Sequence, residues 1–120
     1  PVPGDETVST LCFGPEASTL VGVTYESNLF TYDITTHEVT SVIDLGITPT
    51  GATWGRSPTL RYRKHDRCFY GVGGGVFFRV TAAGEVTILD DAHGWKSLTI
   101  TARGEIYLID ANRVYVHAFD

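Results

Sequence analysis

The stretch LRYRKHDRCFYGVGGGVFFRVTAAGEVTILDD, residues 60–91, decides the fold. It contains four short runs rich in Val, Ile, Tyr, Phe and Thr, the residue types that favour β-strands. Gly73, Gly74 and Gly75 separate the second run from the third, and another strand pattern follows them. A phosphate-binding loop would need a helix amino terminus after its glycines. We therefore interpret the three glycines as the turn of a β-hairpin.

Runs of the same kind occupy the rest of the chain, and no segment has the period of an amphipathic helix. Gly, Asn, Asp, Ser or Pro bounds each run, and the short gaps predict antiparallel hairpins. Besides a strand that opens at Leu11, the predicted strands are residues 20–23, 29–32, 39–43, 60–62, 69–72, 76–80, 86–89, 98–100, 106–109 and 114–116. We predict an all-β fold.

These strands repeat as units. Residues 11–44, 60–91 and 98–120 share one order of strands, and the first two units begin a fourth strand with Glu-Val-Thr, whereas the third stops before it. Four-stranded antiparallel units at this spacing are typical of β-propeller blades. We predict a single partial propeller domain over residues 1–120, with blades at about 7–46, 58–91 and 95–120. Residues 1–8 or a partner would supply the outer strand of the third blade.

Two segments carry a more specific resemblance. GWKSLTITARGEIYLIDANRVYVHAF and WGRSPTLRYRKHDRCFYGVGGGVFFRV resemble the tachylectin-type lectin repeat, which has a Trp, a strand, then a Gly and an apolar-Tyr pair. The matching residues are Trp95, Leu98, Gly104, Ile106, Tyr107 and Tyr115 in one segment, and Trp54, Leu60, Phe69, Tyr70 and Phe77 in the other. The first unit has no Trp before its opening strand. The resemblance implies a carbohydrate-binding, lectin-like propeller.

Three blades are too few to close a propeller ring, because propellers are typically built of four to eight blades. An open arc would leave two blade faces and their apolar residues in water. We expect either self-association, with two copies giving about six blades, or a longer propeller that holds the remaining blades.

Membership of the propeller class also implies where a ligand would be held. In propellers, the turns between second and third strands gather on one face with the links between blades, and we expect residues 90–95 to be such a link. An indole can stack on the apolar face of a sugar while carboxylates, amides and guanidinium groups bind its hydroxyls. The predicted ligand-binding residues are Tyr25, Glu26, Trp54, Arg56, Asp91, His93, Trp95, Asp110 and Asn112, with Asp90 beside them.

Composition and motifs exclude several classes of function. A net charge of -5 argues against nucleic-acid binding, and no run of 18 apolar residues predicts a membrane span. Cys12 and Cys68 lie in apolar runs and are interpreted as packing residues. We find no cofactor, metal or catalytic motif and leave the compartment open.

Two alternatives to a glycan-binding module remain. One is a fragment or subunit of a propeller hydrolase or lyase that uses Glu26, Asp91, His93 and Asp110. The other is a natural or designed protein-interaction scaffold.

Overall fold

A computed structural model of the chain describes residues 8–24, 28–45, 59–73, 75–81, 83–110 and 112–118. Eleven β-strands and no helix lie in these residues. In chain order the strands are β1 (Val8–Phe13), β2 (Thr19–Thr24), β3 (Asn28–Asp33), β4 (Glu38–Asp44), β5 (Thr59–Arg63), β6 (Cys68–Gly73), β7 (Gly75–Val80), β8 (Val86–Trp95), β9 (Ser97–Ile100), β10 (Ile106–Ile109) and β11 (Val114–Val116). Every predicted strand is present, and the all-β prediction is confirmed.

The strands form three antiparallel sheets in which neighbours follow chain order. Sheet 1 contains β1 to β4, sheet 2 contains β5 to β8, and sheet 3 contains β9 to β11. Sheet 3 has three strands among the described residues, as the third unit predicts. Residues 1–7, most of the predicted strand donor, lie outside the described residues, while Val8 pairs with Thr24 in sheet 1.

Sheet 2 lies between the other two sheets and is buried on both faces. Successive side chains of a strand point to opposite faces, so the fully buried β6 contributes to two cores. The core toward sheet 1 contains Val21, Val23, Leu29, Leu45, Leu60, Phe69, Phe78 and Val80. The core toward sheet 3 contains Cys68, Tyr70, Val72, Phe77, Trp95, Leu98, Ile106 and Leu108.

The first strands of the sheets lie next to one another. β1 contacts β5, and β5 contacts β9. Thr59 begins β5 and Ser97 begins β9, and their hydroxyl oxygens are 3.2 Å apart. Sheets 2 and 3 therefore start at the same end of the molecule.

Turn chemistry explains how the hairpins close. Gly73 pairs with Val76 at the end of the β6–β7 hairpin, which confirms the turn predicted from the three glycines. Two further turns, 81–85 and 101–105, share the pattern Thr-Ala-x-Gly-Glu. In each, the threonine hydroxyl accepts a 3.1 Å hydrogen bond from the backbone N–H of the glutamate. Gly84 and Gly104 have φ of 90° and 88°, a region that glycine adopts without steric cost.

The expectation that residues 90–95 form a link between units is wrong, because β8 continues to Trp95 and only Lys96 separates it from β9. Asp90 pairs with Phe77 and Trp95 pairs with Gly75, so the register shifts between these pairs. A bulge of this kind lets a strand stay paired while it carries extra residues. The stretch Asp90 to Gly94 lacks the apolar alternation that marks a strand, so the continuation of β8 was not predicted from the sequence.

The outer faces of sheets 1 and 3 leave large apolar side chains in solvent. On the face of sheet 1 that points away from sheet 2, Leu11, Phe13 and Val42 are 51%, 75% and 48% exposed. On the corresponding face of sheet 3, Val114 and Val116 are 68% and 59% exposed. On the same face of sheet 1, Phe30 and Thr24 are buried, so the exposed apolar residues lie on its two outer strands. In the part of the chain that the structure describes, no helix could cross a membrane.

Candidate functional site

Only some of the predicted site residues can be placed. Tyr25, Glu26, Trp54 and Arg56 lie outside the described residues. Asp91 and His93 belong to β8, for which only the backbone is described at these positions. Trp95, Asp110 and Asn112 are described with their surroundings, and so is Asp90.

Trp95 is a packing residue in this structure. It ends β8, is 6% exposed and belongs to the core between sheets 2 and 3. Its ring meets that of Tyr115 at 90°, with the ring centroids 5.0 Å apart. This edge-to-face arrangement is a favoured aromatic contact and takes up surface that a stacked sugar would need. Its role in ligand binding stays a prediction.

Asp90 and Trp95 line one cavity of about 200 Å³ between sheets 2 and 3. Strands β7, β8, β10 and β11 supply its walls, together with the residues that follow β11. The lining residues are Phe77, Leu89, Asp90, Trp95, Leu108, Tyr115, Val116, His117 and Ala118. We call this space the inter-sheet cavity. It combines an apolar, aromatic wall with a carboxylate and an imidazole, the composition of a site for a small polar ligand.

His117 is fixed at the edge of the inter-sheet cavity. Its backbone N–H donates a 2.9 Å hydrogen bond to the Ile106 carbonyl. Its ring lies edge-on to Phe77, with centroids 5.2 Å apart and an interplanar angle of 81°, and 6.4 Å from the ring of Tyr70. These contacts orient an imidazole that can both donate and accept a hydrogen bond.

The sequence reasoning missed His117 and Tyr115 as site residues. A signal was present in the repeat. When the third strands are aligned at Leu29, Val76 and Val114, His117 falls at the same place as Arg79. Arg79 in β7 and His117 just after β11 are polar residues at the same position of the repeat, directly after apolar strand residues, which indicates a position that makes polar contacts.

The Asp110 carboxylate is hydrogen-bonded to the backbone of its own turn. Its Oδ1 accepts hydrogen bonds from the backbone N–H groups of Asn112, at 2.8 Å, and Arg113, at 2.9 Å. Asp33 does the same for Thr35 and Thr36 in the β3–β4 turn. This Asx geometry stabilises a turn and leaves less of the carboxylate for a ligand. Asn112 is exposed beside it.

A polar network lies in the same inter-sheet core. The buried Tyr70 hydroxyl donates to Asp66 Oδ2, which also forms a 2.9 Å ion pair with Arg63 Nη1. Arg63 Nε in turn donates a 2.7 Å hydrogen bond to the Gly104 carbonyl of sheet 3. Burial, with a smaller contribution from Asp66, raises the pKa of Tyr70 to about 12. The network ties the β5–β6 turn to sheet 3 and keeps the phenol protonated.

Two larger concavities lie beside sheet 1. One, of about 540 Å³, is lined by the apolar Leu11, Phe13 and Leu20 together with Arg61 and Lys64. The other, of about 500 Å³, lies between sheets 1 and 2 near Tyr62 and Phe69. Among the described residues, none of the predicted site residues lines either concavity.

The cysteines have the environment of packing residues. Cys68 is buried and Cys12 is half-buried, and both are free thiols. Burial raises the pKa of Cys12 to about 11 and also raises that of Cys68. Among the described residues, no group of three or more His, Cys, Asp or Glu side chains is arranged to hold a metal ion.

No protein-family model matches the chain, and no curated protein matches it. The class of protein therefore rests on the arrangement of the sheets and on the chemistry of the inter-sheet cavity.

Proposed function

We propose that the three sheets are consecutive blades of a β-propeller and that the chain is a carbohydrate-binding, lectin-like module. Each sheet is an antiparallel meander in chain order, and the first strands of successive sheets are neighbours. These features favour blades whose first strands surround a common axis. Exposed apolar side chains on sheets 1 and 3, such as Phe13 and Val114, favour a ring that other blades complete, from a second copy or from a longer propeller.

The observation that carries the glycan proposal is the composition of the inter-sheet cavity. Tyr115 supplies the accessible aromatic wall beside the buried Phe77 and Trp95, while Asp90 and His117 supply hydrogen-bonding groups. A sugar presents apolar C–H faces and hydroxyls, which match these two kinds of surface. The volume of about 200 Å³ is below the roughly 300–1,000 Å³ of typical ligand pockets, so we expect one terminal sugar unit to enter.

Binding is tested with a glycan array, followed by titration calorimetry with the best-bound glycan. We expect Asp90→Asn and His117→Gln each to weaken binding by at least tenfold, about 1.4 kcal/mol, because Asn replaces a charged acceptor oxygen by an N–H donor and Gln replaces a ring held against Phe77 by a flexible amide. Asp44→Asn is the matched control, since it removes a carboxylate from sheet 1, which does not line the inter-sheet cavity. Failure to bind any glycan, or equal binding by all three variants, would refute the proposed site.

Trp54 needs its own variant, because it lies outside the described residues. Trp54→Ala weakens glycan binding if Trp54 belongs to the same site as the inter-sheet cavity, and leaves it unchanged if the cavity acts alone. A circular dichroism melt of each variant checks that the fold is retained.

A propeller hydrolase or lyase is the second candidate. Asp90 and His117 line the same cavity and could serve as a general acid and base pair. Incubating the bound glycan with the chain and analysing the products by mass spectrometry separates the two functions. Cleavage that is lost in both Asp90→Asn and His117→Gln supports the enzyme, whereas an intact glycan supports the lectin-like module.

A further inference from the structure

The concavity of about 540 Å³ beside sheet 1 has the size of a ligand site, since typical ligand pockets measure roughly 300–1,000 Å³. It lies where the β1–β2 hairpin meets β5 and the turn that follows β5. Its lining residues are Leu11, Cys12, Phe13, Gly14 and Leu20 of the hairpin, with Arg61, Tyr62 and Lys64 of sheet 2. We call this space the β1–β5 concavity. Among the described residues, none lines both this space and the inter-sheet cavity.

One wall of the β1–β5 concavity is apolar and open to solvent. Leu11 and Phe13, both on β1, are 51% and 75% exposed. Leu20 pairs with Phe13 across the hairpin and is half-buried. Removal of apolar surface from water is favourable, so this wall favours a ligand with an apolar part.

The charged groups of the β1–β5 concavity are both cations. Arg61 and Lys64 lie on its sheet 2 side and are exposed. Within the part of the chain that the structure describes, neither forms an ion pair, and Asp66 of the same turn pairs with Arg63 instead. Arg61 Nη1 donates a 2.8 Å hydrogen bond to the Leu60 carbonyl. A guanidinium group has five N–H donors, so Arg61 retains donors for a ligand.

The other lining residues add no negative charge. No Asp or Glu is among the described residues that line the concavity. The Cys12 thiol stays protonated at neutral pH, because burial raises its pKa to about 11. The Arg61 charge opposes this rise in pKa, which places the guanidinium within electrostatic reach of Cys12. The concavity therefore combines an apolar wall with two cations and no anion.

We propose that the β1–β5 concavity binds an aliphatic carboxylate, with the alkyl chain against Leu11 and Phe13 and the carboxylate beside Arg61 and Lys64. A guanidinium group matches a carboxylate with two parallel hydrogen bonds, and an ammonium group adds a point charge. The concave shape favours a single free acid over the flat surface of a membrane. This second site is independent of the proposed glycan site.

The first test is isothermal titration calorimetry with sodium octanoate at about pH 7, where a carboxylic acid is ionised. We expect one octanoate to bind per chain. Hexanoate should bind up to roughly fifteenfold more weakly, because each buried CH₂ group contributes up to about fourfold in affinity. Acetate has the carboxylate without the chain, and octylammonium has the chain with the opposite charge, so we expect neither to bind at the same concentrations. No binding of octanoate, or equal binding of acetate or octylammonium, would overturn the inference.

The second test locates the site with variants of exposed residues. We expect Arg61→Gln to weaken octanoate binding by about tenfold and Lys64→Gln by about threefold, because the guanidinium group can form two hydrogen bonds to the carboxylate. Phe13→Gln should weaken it by about tenfold, because it removes apolar wall. Lys96→Gln and Ile88→Gln are the matched controls, since these exposed residues do not line the concavity. Circular dichroism melts show whether each variant keeps the fold. Controls that weaken binding as strongly as the lining variants would show that the assigned site is wrong.

Nuclear magnetic resonance of the nitrogen-labelled chain gives an independent location. Octanoate should shift the backbone amide signals of Cys12, Gly14 and Tyr62, and should leave unshifted those of Leu89 and Ala118, which line the inter-sheet cavity. Shifts confined to the inter-sheet cavity would contradict the assignment. A chain that binds octanoate but no glycan refutes only the glycan proposal, and a chain that binds a glycan but no octanoate refutes only this inference.

Two other occupants of the apolar wall are tested with the same samples. Sedimentation with phosphatidylglycerol vesicles measures binding to a membrane surface, and vesicle binding without octanoate binding would assign the wall to lipid and overturn the inference. Light scattering shows whether the chain self-associates. Loss of octanoate binding on self-association would mean that another blade covers Phe13, which also overturns it.

Discussion

Gly71→Ala should destabilise the fold through a single aromatic ring. Gly71 lies in β6, paired with Phe78 of β7. A methyl group at Gly71 would lie 2.3 Å from Phe78 Cζ and 2.6 Å from Cε1. Carbon atoms in contact are normally about 3.5–4.0 Å apart, so the ring must move by more than about 1 Å. Phe78 is fully buried in the core toward sheet 1, which leaves it little room.

The size of the effect follows from this crowding. Overpacking a close-packed core costs about 1–3 kcal/mol, and the short approach places this site at the upper end. Replacing a strand glycine returns about 0.5–1 kcal/mol of backbone entropy. The net expected loss is about 2 kcal/mol, which lowers the melting temperature by roughly 6–10 °C for a chain of this length.

The assay is urea unfolding followed by circular dichroism, at one protein concentration because association also shifts stability. Phe78→Leu is the companion variant, since it removes the atoms that the new methyl group would meet. Alone it should cost about 1–2 kcal/mol, less than the 3–5 kcal/mol of a Phe→Ala change. The double variant should be no less stable than Phe78→Leu. Stability of Gly71→Ala within about 0.5 kcal/mol of the parent, or costs that simply add, would refute the packing of this ring over Gly71.

Three further predictions follow from the turns and buried groups. Gly84→Ala and Gly104→Ala should each lower the free energy of unfolding, measured in urea, by about 1–2 kcal/mol because both glycines have positive φ. The loss should be larger at Gly104, where a methyl group would lie 2.7 Å from His65 Nδ1. His65→Ala should abolish the difference, and equal losses would contradict this contact between sheets. Folding raises the pKa of Tyr70 from 10.0 to about 12, so its contribution to the free energy of unfolding should be full below about pH 10 and should be lost as pH rises toward 12. Tyr70→Phe should flatten this decrease when unfolding is measured as a function of pH, and an unchanged dependence on pH would contradict the prediction. Because the pKa of Cys12 is near 11 instead of 9.0, Cys12 should react with iodoacetamide at about pH 8 roughly a hundredfold more slowly than an unperturbed thiol. Mass spectrometry measures this rate, and a rate near that of an unperturbed thiol would refute the burial of Cys12.

Most of the candidate site could not be predicted from the sequence. Trp95 was identified from its place before a strand, but its packing on Tyr115 depends on how sheets 2 and 3 meet. Asp110 lies in a turn that was predicted to bind a ligand, yet its carboxylate accepts a hydrogen bond from the backbone of the same turn. His117 belongs to the inter-sheet cavity only because β11 folds back beside β10. Each of these roles depends on neighbours that are distant in sequence.

By itself, the sequence determined the local structure: strand positions, hairpins and their order in three repeated units. Alternating apolar residues and turn-forming Gly, Asp and Thr act over a few residues, so their effect is readable along the chain. Only the tertiary structure decided that β8 continues through its polar stretch to Trp95, which apolar faces stay exposed and which polar groups share a cavity. These outcomes depend on which sheet packs against which, because burial and cross-strand pairing are properties of the assembled sheets and not of any one segment.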